Sequence, residues 1–228
     1  MGRPRAPRRR GGALRDYPAL VLAATLWAYW FSVGVMIVRV RRRTRKLSGV
    51  VPRQPLEQFM WLLWVPLVGA WMVLPYLAAT RTDPPWALPA LAGSAGYLPV
   101  RWAGAGIGLV CLALSIECWA RMGKNWRMAV TPGERTDLVT SGLYGYVRHP
   151  IYALSMLLMV CTVVVVPTLP VLAIAAIHIA LMVAKAHNEE RFLAGVHGEG
   201  YRRYCDRTGR FLPRFGARAR GGADGTRG

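Results

Sequence analysis

Residues 151–184 read IYALSMLLMVCTVVVVPTLPVLAIAAIHIALMVA: two apolar runs, Ile151 to Val166 and Val171 to Ala184, parted by Pro167-Thr168-Leu169-Pro170. Neither run carries a charge, and the proline-bracketed break cannot continue a straight helix, so the stretch reads as a tight helical hairpin inside a bilayer. At 16 and 14 residues the runs fall short of the roughly 20 needed to cross about 30 Å of hydrocarbon. Both helices are therefore expected to extend past the apolar core on one side, where Pro150 and Glu189 lie.

Upstream, Tyr17 to Val38, Gln58 to Ala79 and Trp102 to Trp119 are three further apolar runs near spanning length. The 54% hydrophobic content of the 228 residues thus lies in long runs, not at period two or 3.6. The fold class that follows is an all-α integral membrane protein of about five transmembrane helices with a Pro-broken C-terminal hairpin. Residues 17–119 hold three transmembrane helices and residues 120–213 the rest of the ordered chain. The basic tails 1–16 and 214–228 lack periodicity and are expected to be disordered. The run from Tyr17 is too long for a cleaved signal peptide, and no small-residue cleavage site ends it. Prolines 84, 85, 89 and 99 with Gly93 and Gly96 mark an irregular connection between the second and third spans.

A net charge of +19 would raise nucleic acid as a partner for a soluble chain. Here the distribution gives another reason. Of 30 basic residues, seven lie in Arg39 to Arg53, five in Arg121 to Arg148 and ten from Lys185 onward. Alternate spanning puts these three regions on one face, which the positive-inside rule makes cytoplasmic, and no nucleic-acid partner is expected. The six arginines of the N-terminal tail break the pattern: either they lie outside, or the first segment does not cross fully. Cys111, Cys118 and Cys161 fall inside predicted spans and Cys205 in the tail, without CxxC spacing, so neither a metal site nor a disulfide framework is supported.

Three clusters carry chemistry. The first runs from Gly142 to Tyr152 and contains Tyr144, Arg148, His149 and Pro150. Proline at a first helical position sets a helix start at the membrane surface, whose N–H groups beside Arg148 and His149 favour an anion. A basic, aromatic interfacial belt accounts for the same residues. The second is Lys185 to Arg191. On a continuing fifth helix His178, Met182, Lys185 and Glu189 share one face, which brings ionisable groups to membrane depth, with a simple i, i+4 ion pair as the alternative. Glu117 has the same ambiguity. In the third, Gly198 to Tyr204 followed by Arg210-Phe211-Leu212-Pro213, aromatic and basic residues alternate, which also suits a segment lying on anionic headgroups.

The order of these clusters resembles the isoprenylcysteine carboxyl methyltransferase family, with its bacterial relatives and the related phospholipid methyltransferases. The resemblance covers about Arg121 to Pro213, through Gly123-Lys124-Asn125-Trp126, Gly142-Leu143-Tyr144, Arg148-His149-Pro150-Ile151-Tyr152, Glu189-Glu190 with Leu193, Gly198 with Tyr201 and Tyr204, and Phe211-Leu212-Pro213. It implies that S-adenosylmethionine binds in a cytoplasmic pocket roofed by the C-terminal segment. It also implies a lipophilic or small methyl acceptor (carboxylate, thiol or amine) reached from the bilayer, and a bacterial inner-membrane location. Tyr144, Arg148, His149, Pro150, Tyr152, Glu190, Tyr201 and Tyr204 would then hold the cofactor, with Lys185, Glu189 and Glu190 in catalytic positions. Family members often carry an arginine shortly before the double glutamate, where this chain has Lys185. An ammonium cannot fork two hydrogen bonds to a carboxylate, so a prenylcysteine carboxylate does not follow from the resemblance. A membrane scaffold or transporter subunit with lipid-binding tails is the non-enzymatic alternative.

Overall fold

A computed structural model describes residues 16–44, 54–81, 83–123, 126 and 138–214. The tails expected to be disordered lie outside these residues, apart from Asp16 and Arg214. The elements are α1 (Tyr17–Thr44), α2 (Pro55–Thr80), α3 (Leu98–Met122), a 3-10 turn (Gly142–Gly145), α4 (Pro150–Val165), α5 (Leu169–His197) and α6 (Glu199–Arg207). Each of the first five helices has a proline at its first or second position: Pro18, Pro55, Pro99, Pro150 and Pro170. There its missing N–H would have had no intrahelical partner, so the ring fixes the backbone angle without loss of a bond.

Four helices, α1 (to Arg42), α2, α3 and α5, are long and apolar enough to cross a membrane, and α4 is a shorter apolar helix. The chain is an all-α integral membrane protein. The hairpin forms as the sequence predicts, α4 and α5 being joined over residues 166–168. One expectation is corrected. α5 runs past its apolar core to His197, whereas α4 does not extend: it begins at Pro150 and covers 16 residues, about 24 Å. Proline drives the preceding residue out of the helical region, and His149 accordingly has φ −121° and ψ 61°.

The bundle closes tightly where α3 meets α4. A Cβ at Gly104 would lie 3.0 Å from Val165 Cγ2, and one at Gly108 would lie 3.3 Å from both Leu158 and Leu22. Spaced four apart, these glycines let the backbones approach as small-residue pairs do in membranes, a packing signal carried by their spacing alone. Cys111, Cys118 and Cys161 are buried and free, in keeping with a packing role. Inside the bundle, His178 Nε2 lies 3.0 Å from Ser155 Oγ and its ring is 4.9 Å from that of Trp71. Trp71 in turn donates to Thr162 Oγ1 at 2.8 Å. These bonds answer the polar requirement that hydrocarbon cannot meet.

The two ends of the bundle are held differently. At one end Arg101, 4% exposed, donates to Val165 O (2.8 Å), Ala92 O (3.4 Å) and the Asp16 carboxylate (2.5 Å). Asp16, at the edge of the expected tail, also accepts from the Ala19 N–H at 3.1 Å and so caps α1. At the other end lie the start of α4, the C-terminal end of α5, and α6.

Candidate functional site

The site is assembled at that second end from three pieces of chain. Gly142, at φ +62°, turns the chain into the 3-10 turn in a left-handed conformation that costs other L-residues free energy. A Cβ there would also fall 2.5 Å from Arg121 Nε. The turn buries Tyr144 and delivers Val147, Arg148 and His149 to the start of α4. Residues 208–210 then run beside them. Arg148 N–H donates to Gly209 O (2.8 Å), His149 N–H to Arg210 O (3.1 Å) and Gly209 N–H to Tyr146 O (3.1 Å), as a short parallel bridge. Tyr204 OH donates to Tyr144 O at 2.6 Å, which fastens α6 to the turn. The C-terminal segment thereby covers the loop as a strap.

This pairing holds the two residues that precede the helix start. The N–H groups of Arg148 and His149 are taken by backbone carbonyls, and the anion beside them is the chain's own Glu190. Arg148 Nε donates to Glu190 Oε1 at 2.9 Å, while Arg210 Nη2 and Nε donate to Oε2 at 2.6 and 3.1 Å. Arg148 also donates to the Thr208 and Cys205 carbonyls. His149 Nε2 lies 3.3 Å from Glu190 Oε1, an ion-pair distance, yet off line for a hydrogen bond. The bonds from Glu190 hold the Arg210 guanidinium above its ordinary pKa. In the sequence Arg210 belongs to an aromatic and basic stretch, and its pairing across 20 residues has no local signature.

Glu189 is in a different position. It accepts from Tyr152 OH at 2.8 Å, and His149 Nδ1 is 3.8 Å away; among the described residues it has no arginine or lysine within ion-pair distance. The rings of His149 and Tyr152 stack at 5.4 Å and 6°, with Phe211 6.2 Å from His149. Tyr144 and Tyr201 are buried, and their hydroxyls have no hydrogen-bond partner among the described residues. Burial raises both phenols above their ordinary pKa and pushes Tyr204 up to about 12, so all three stay neutral donors at physiological pH. A buried hydroxyl without a partner costs about 1 to 3 kcal/mol, which a ligand's polar groups can offset.

The structure thus brings together Tyr144, Arg148, His149, Pro150, Tyr152, Glu189, Glu190, Tyr201 and Tyr204. Lys185 is partly exposed on α5, one turn before Glu189. His178 and Met182, placed on the same stripe, are buried in the bundle; His178 serves Ser155 and not the site. Glu117 pairs with Arg121 at 2.8 Å, both about 44% exposed, which is the surface ion pair of its two readings. The N-terminal half, which offered no motif, contributes Gln54 and Glu57: Asn188 Nδ2 donates to Gln54 Oε1 and Glu57 Oε1, both at 3.3 Å. Glu57 is 1% exposed, and its place at the first turn of α2 is the only sequence signal it carries.

Residues 106–195 match the family model described as the isoprenylcysteine carboxyl methyltransferase (ICMT) family. The chain is also similar to the cobalt-zinc-cadmium resistance protein CzcN of Cupriavidus metallidurans, at 34% identity over 119 residues. That alignment covers 50% of this chain and 55% of the relative, so the chain spans about half the length of the curated relative it matches.

Proposed function

We propose, from the premise that residues 106–195 carry the isoprenylcysteine carboxyl methyltransferase pattern, that this integral membrane protein is a methyltransferase that uses S-adenosylmethionine. The observation that carries the reading is the meeting of the 3-10 turn, the start of α4, the end of α5 and the C-terminal strap around Glu190, beside two buried phenols without partners among the described residues. Those residues suit the cofactor's chemistry. Tyr144 and Tyr201 offer hydroxyls to its polar groups, and the stacked His149 and Tyr152 with Phe211 offer aromatic surface to its base and sulfonium, a cation–π attraction of about 0.5 to 2 kcal/mol. S-adenosylmethionine supplies, when bound, a methyl group open to in-line displacement.

The chain's own part is alignment and exclusion of water, which are what such a displacement needs most. Glu190, satisfied by Arg148 and Arg210, fixes the strap over the site and does not itself contact the reacting atoms. Glu189, held by Tyr152, with His149 Nδ1 at 3.8 Å and no arginine or lysine partner among the described residues, is the group left to meet an acceptor. Since the site sits at one end of a helical bundle, a lipophilic acceptor enters from the bilayer and a small one from water. The cytoplasmic face follows from the basic-residue distribution.

Purified protein incubated with methyl-labelled S-adenosylmethionine and a total lipid extract tests this reading. Label in the organic phase, lost with Tyr152→Phe or Glu189→Gln, supports it. Absence of transfer to lipid and to small acceptors alike would count against it.

A further inference from the structure

The strap over the site has two faces. On the inner one, Tyr201 and Thr208 are buried and Tyr204, between them, bonds to the Tyr144 carbonyl. The outer face of α6 exposes Arg202, Arg203, Asp206 and Arg207. Arg202 is paired with Glu199 at 2.8 Å. Arg203 and Arg207, one turn apart, have no carboxylate within ion-pair distance among the described residues. Arg214 folds back onto the same helix end, where its Nη1 donates to the Cys205 and Asp206 carbonyls at 3.2 and 3.1 Å. Three guanidiniums thus stand against the single carboxylate of Asp206, and Leu212 beside them is 78% exposed.

The depth of this face is set by α4. Gly209 and Arg210 accept from the N–H groups of Arg148 and His149, the residues immediately before Pro150, and α4 runs only 16 residues from there. At about 24 Å that helix is shorter than the roughly 30 Å of hydrocarbon. Its start cannot stand clear of the membrane, so the strap beside it lies among the headgroups. An apolar side chain at that level loses its contact with water by turning into the leaflet, and basic neighbours then meet lipid phosphates. Arg39, Arg41 and Arg42, exposed at the end of α1, continue the basic rim at this end of the bundle.

From Leu212, Arg203, Arg207 and Arg214 we infer that the outer face of the strap docks on anionic phospholipid, and that this docking holds the strap closed over the site. The docking stands on the fold alone, whereas its effect on cofactor binding rests on the methyltransferase reading. Arg210 makes the link: it lies between Arg207 and Leu212 in the chain and holds Glu190 at 2.6 Å. Lipid held at residues 203–214 therefore restrains the residues that close the site. A zwitterionic headgroup brings its own ammonium to the phosphate, while an anionic surface favours each arginine near it by roughly fivefold.

Leu212→Cys in a Cys205→Ser background, the other cysteines being buried, takes an apolar, environment-sensitive fluorophore in place of the leucine. The full-length protein is compared in nanodiscs of phosphatidylcholine with and without about 30% phosphatidylglycerol. The anionic bilayer should shift emission to the blue and lower access of an aqueous quencher at least about fivefold. Arg203→Gln with Arg207→Gln should abolish that difference, Arg39→Gln should keep it, and inorganic phosphate added to phosphatidylcholine nanodiscs should not reproduce it. Equal emission in both bilayers, a difference that survives Arg203→Gln with Arg207→Gln, or a shift caused by phosphate alone overturns the docking. S-adenosylmethionine titrated into unlabelled wild type should bind at least about fivefold tighter in the anionic nanodiscs, a preference lost with Arg203→Gln and Arg207→Gln. Equal wild-type affinity in the two bilayers overturns the link to closure and leaves the methyltransferase reading standing. A shifted fluorophore without cofactor binding in either bilayer overturns that reading and leaves the docking.

Discussion

Arg148 and Glu190, 42 residues apart in the chain, meet at 2.9 Å through Nε and Oε1, both side chains close to nine-tenths buried. A buried charge that loses its partner keeps its desolvation cost, typically about 1.5 to 3 kcal/mol for a charged hydrogen bond. Glu190→Ala should therefore weaken S-adenosylmethionine binding by roughly ten- to 150-fold, because Arg148 and Arg210 are released together and the strap with them. His149→Ala should weaken it as well, through the lost stack on Tyr152. Titration of both variants, after a check that each remains monodisperse, gives the answer. Unchanged affinity in both would remove these residues from the site.

How much of this could be read from the sequence depends on the range of each interaction. The spans, the hairpin and the start of α4 at Pro150 follow from composition and from proline's missing N–H, which are local. So does the grouping of Glu189 with Glu190 on one helix end. The division of labour between those two was not legible. It is set by Arg210, which reaches Glu190 across a turn and a helix, and by Asn188 meeting Gln54 and Glu57 across more than 130 residues. The strap pairing is of the same kind, since nothing in Arg148-His149 says that Gly209 and Arg210 will take their N–H groups. The overestimate of α4's length came from requiring a full crossing of every span.

At the end of the bundle away from the site, Arg101 and Asp16 form an ion pair with side chains 5% and 12% exposed. Breaking a buried pair by removing one partner costs about 3 to 5 kcal/mol. Arg101→Ala should lower the thermal midpoint in detergent markedly, Asp16→Asn less so, and the double variant by less than the sum. Cofactor affinity should hardly change in any of them. An additive double variant would show that the two residues do not act as a pair.

Gly142 is required by its positive φ, whereas the exposed Arg121 side chain next to it can move aside. Gly142→Ala should lower cofactor affinity several-fold, as about 1 to 2 kcal/mol of backbone strain falls on the turn that carries Tyr144. Gly106→Ala, where nothing lies within 4 Å of the added carbon, serves as the control and should be neutral. Equal effects of the two substitutions, read in one titration series, would show that the turn's geometry does not matter to binding.

Alternating helices place Cys205 at the same end as Ser141, and Ser94 at the other. In sealed inside-out vesicles an impermeant thiol reagent should therefore label Cys205 and a cysteine at Ser141. A cysteine placed at Ser94 should stay unlabelled until the membrane is opened. Labelling of Cys205 and the Ser141 position from opposite sides would contradict both the fold and the cytoplasmic assignment.

The claim on which the rest depends is that the Glu190-centred site binds S-adenosylmethionine, and isothermal titration of the cofactor into detergent-purified wild-type protein measures it most directly. The account predicts saturable one-to-one binding, competed by S-adenosylhomocysteine and weakened at least tenfold in Glu190→Ala. The absence of saturable heat up to about 1 mM ligand, equivalent to less than about 4 kcal/mol of binding free energy, or binding that Glu190→Ala leaves untouched, would contradict it.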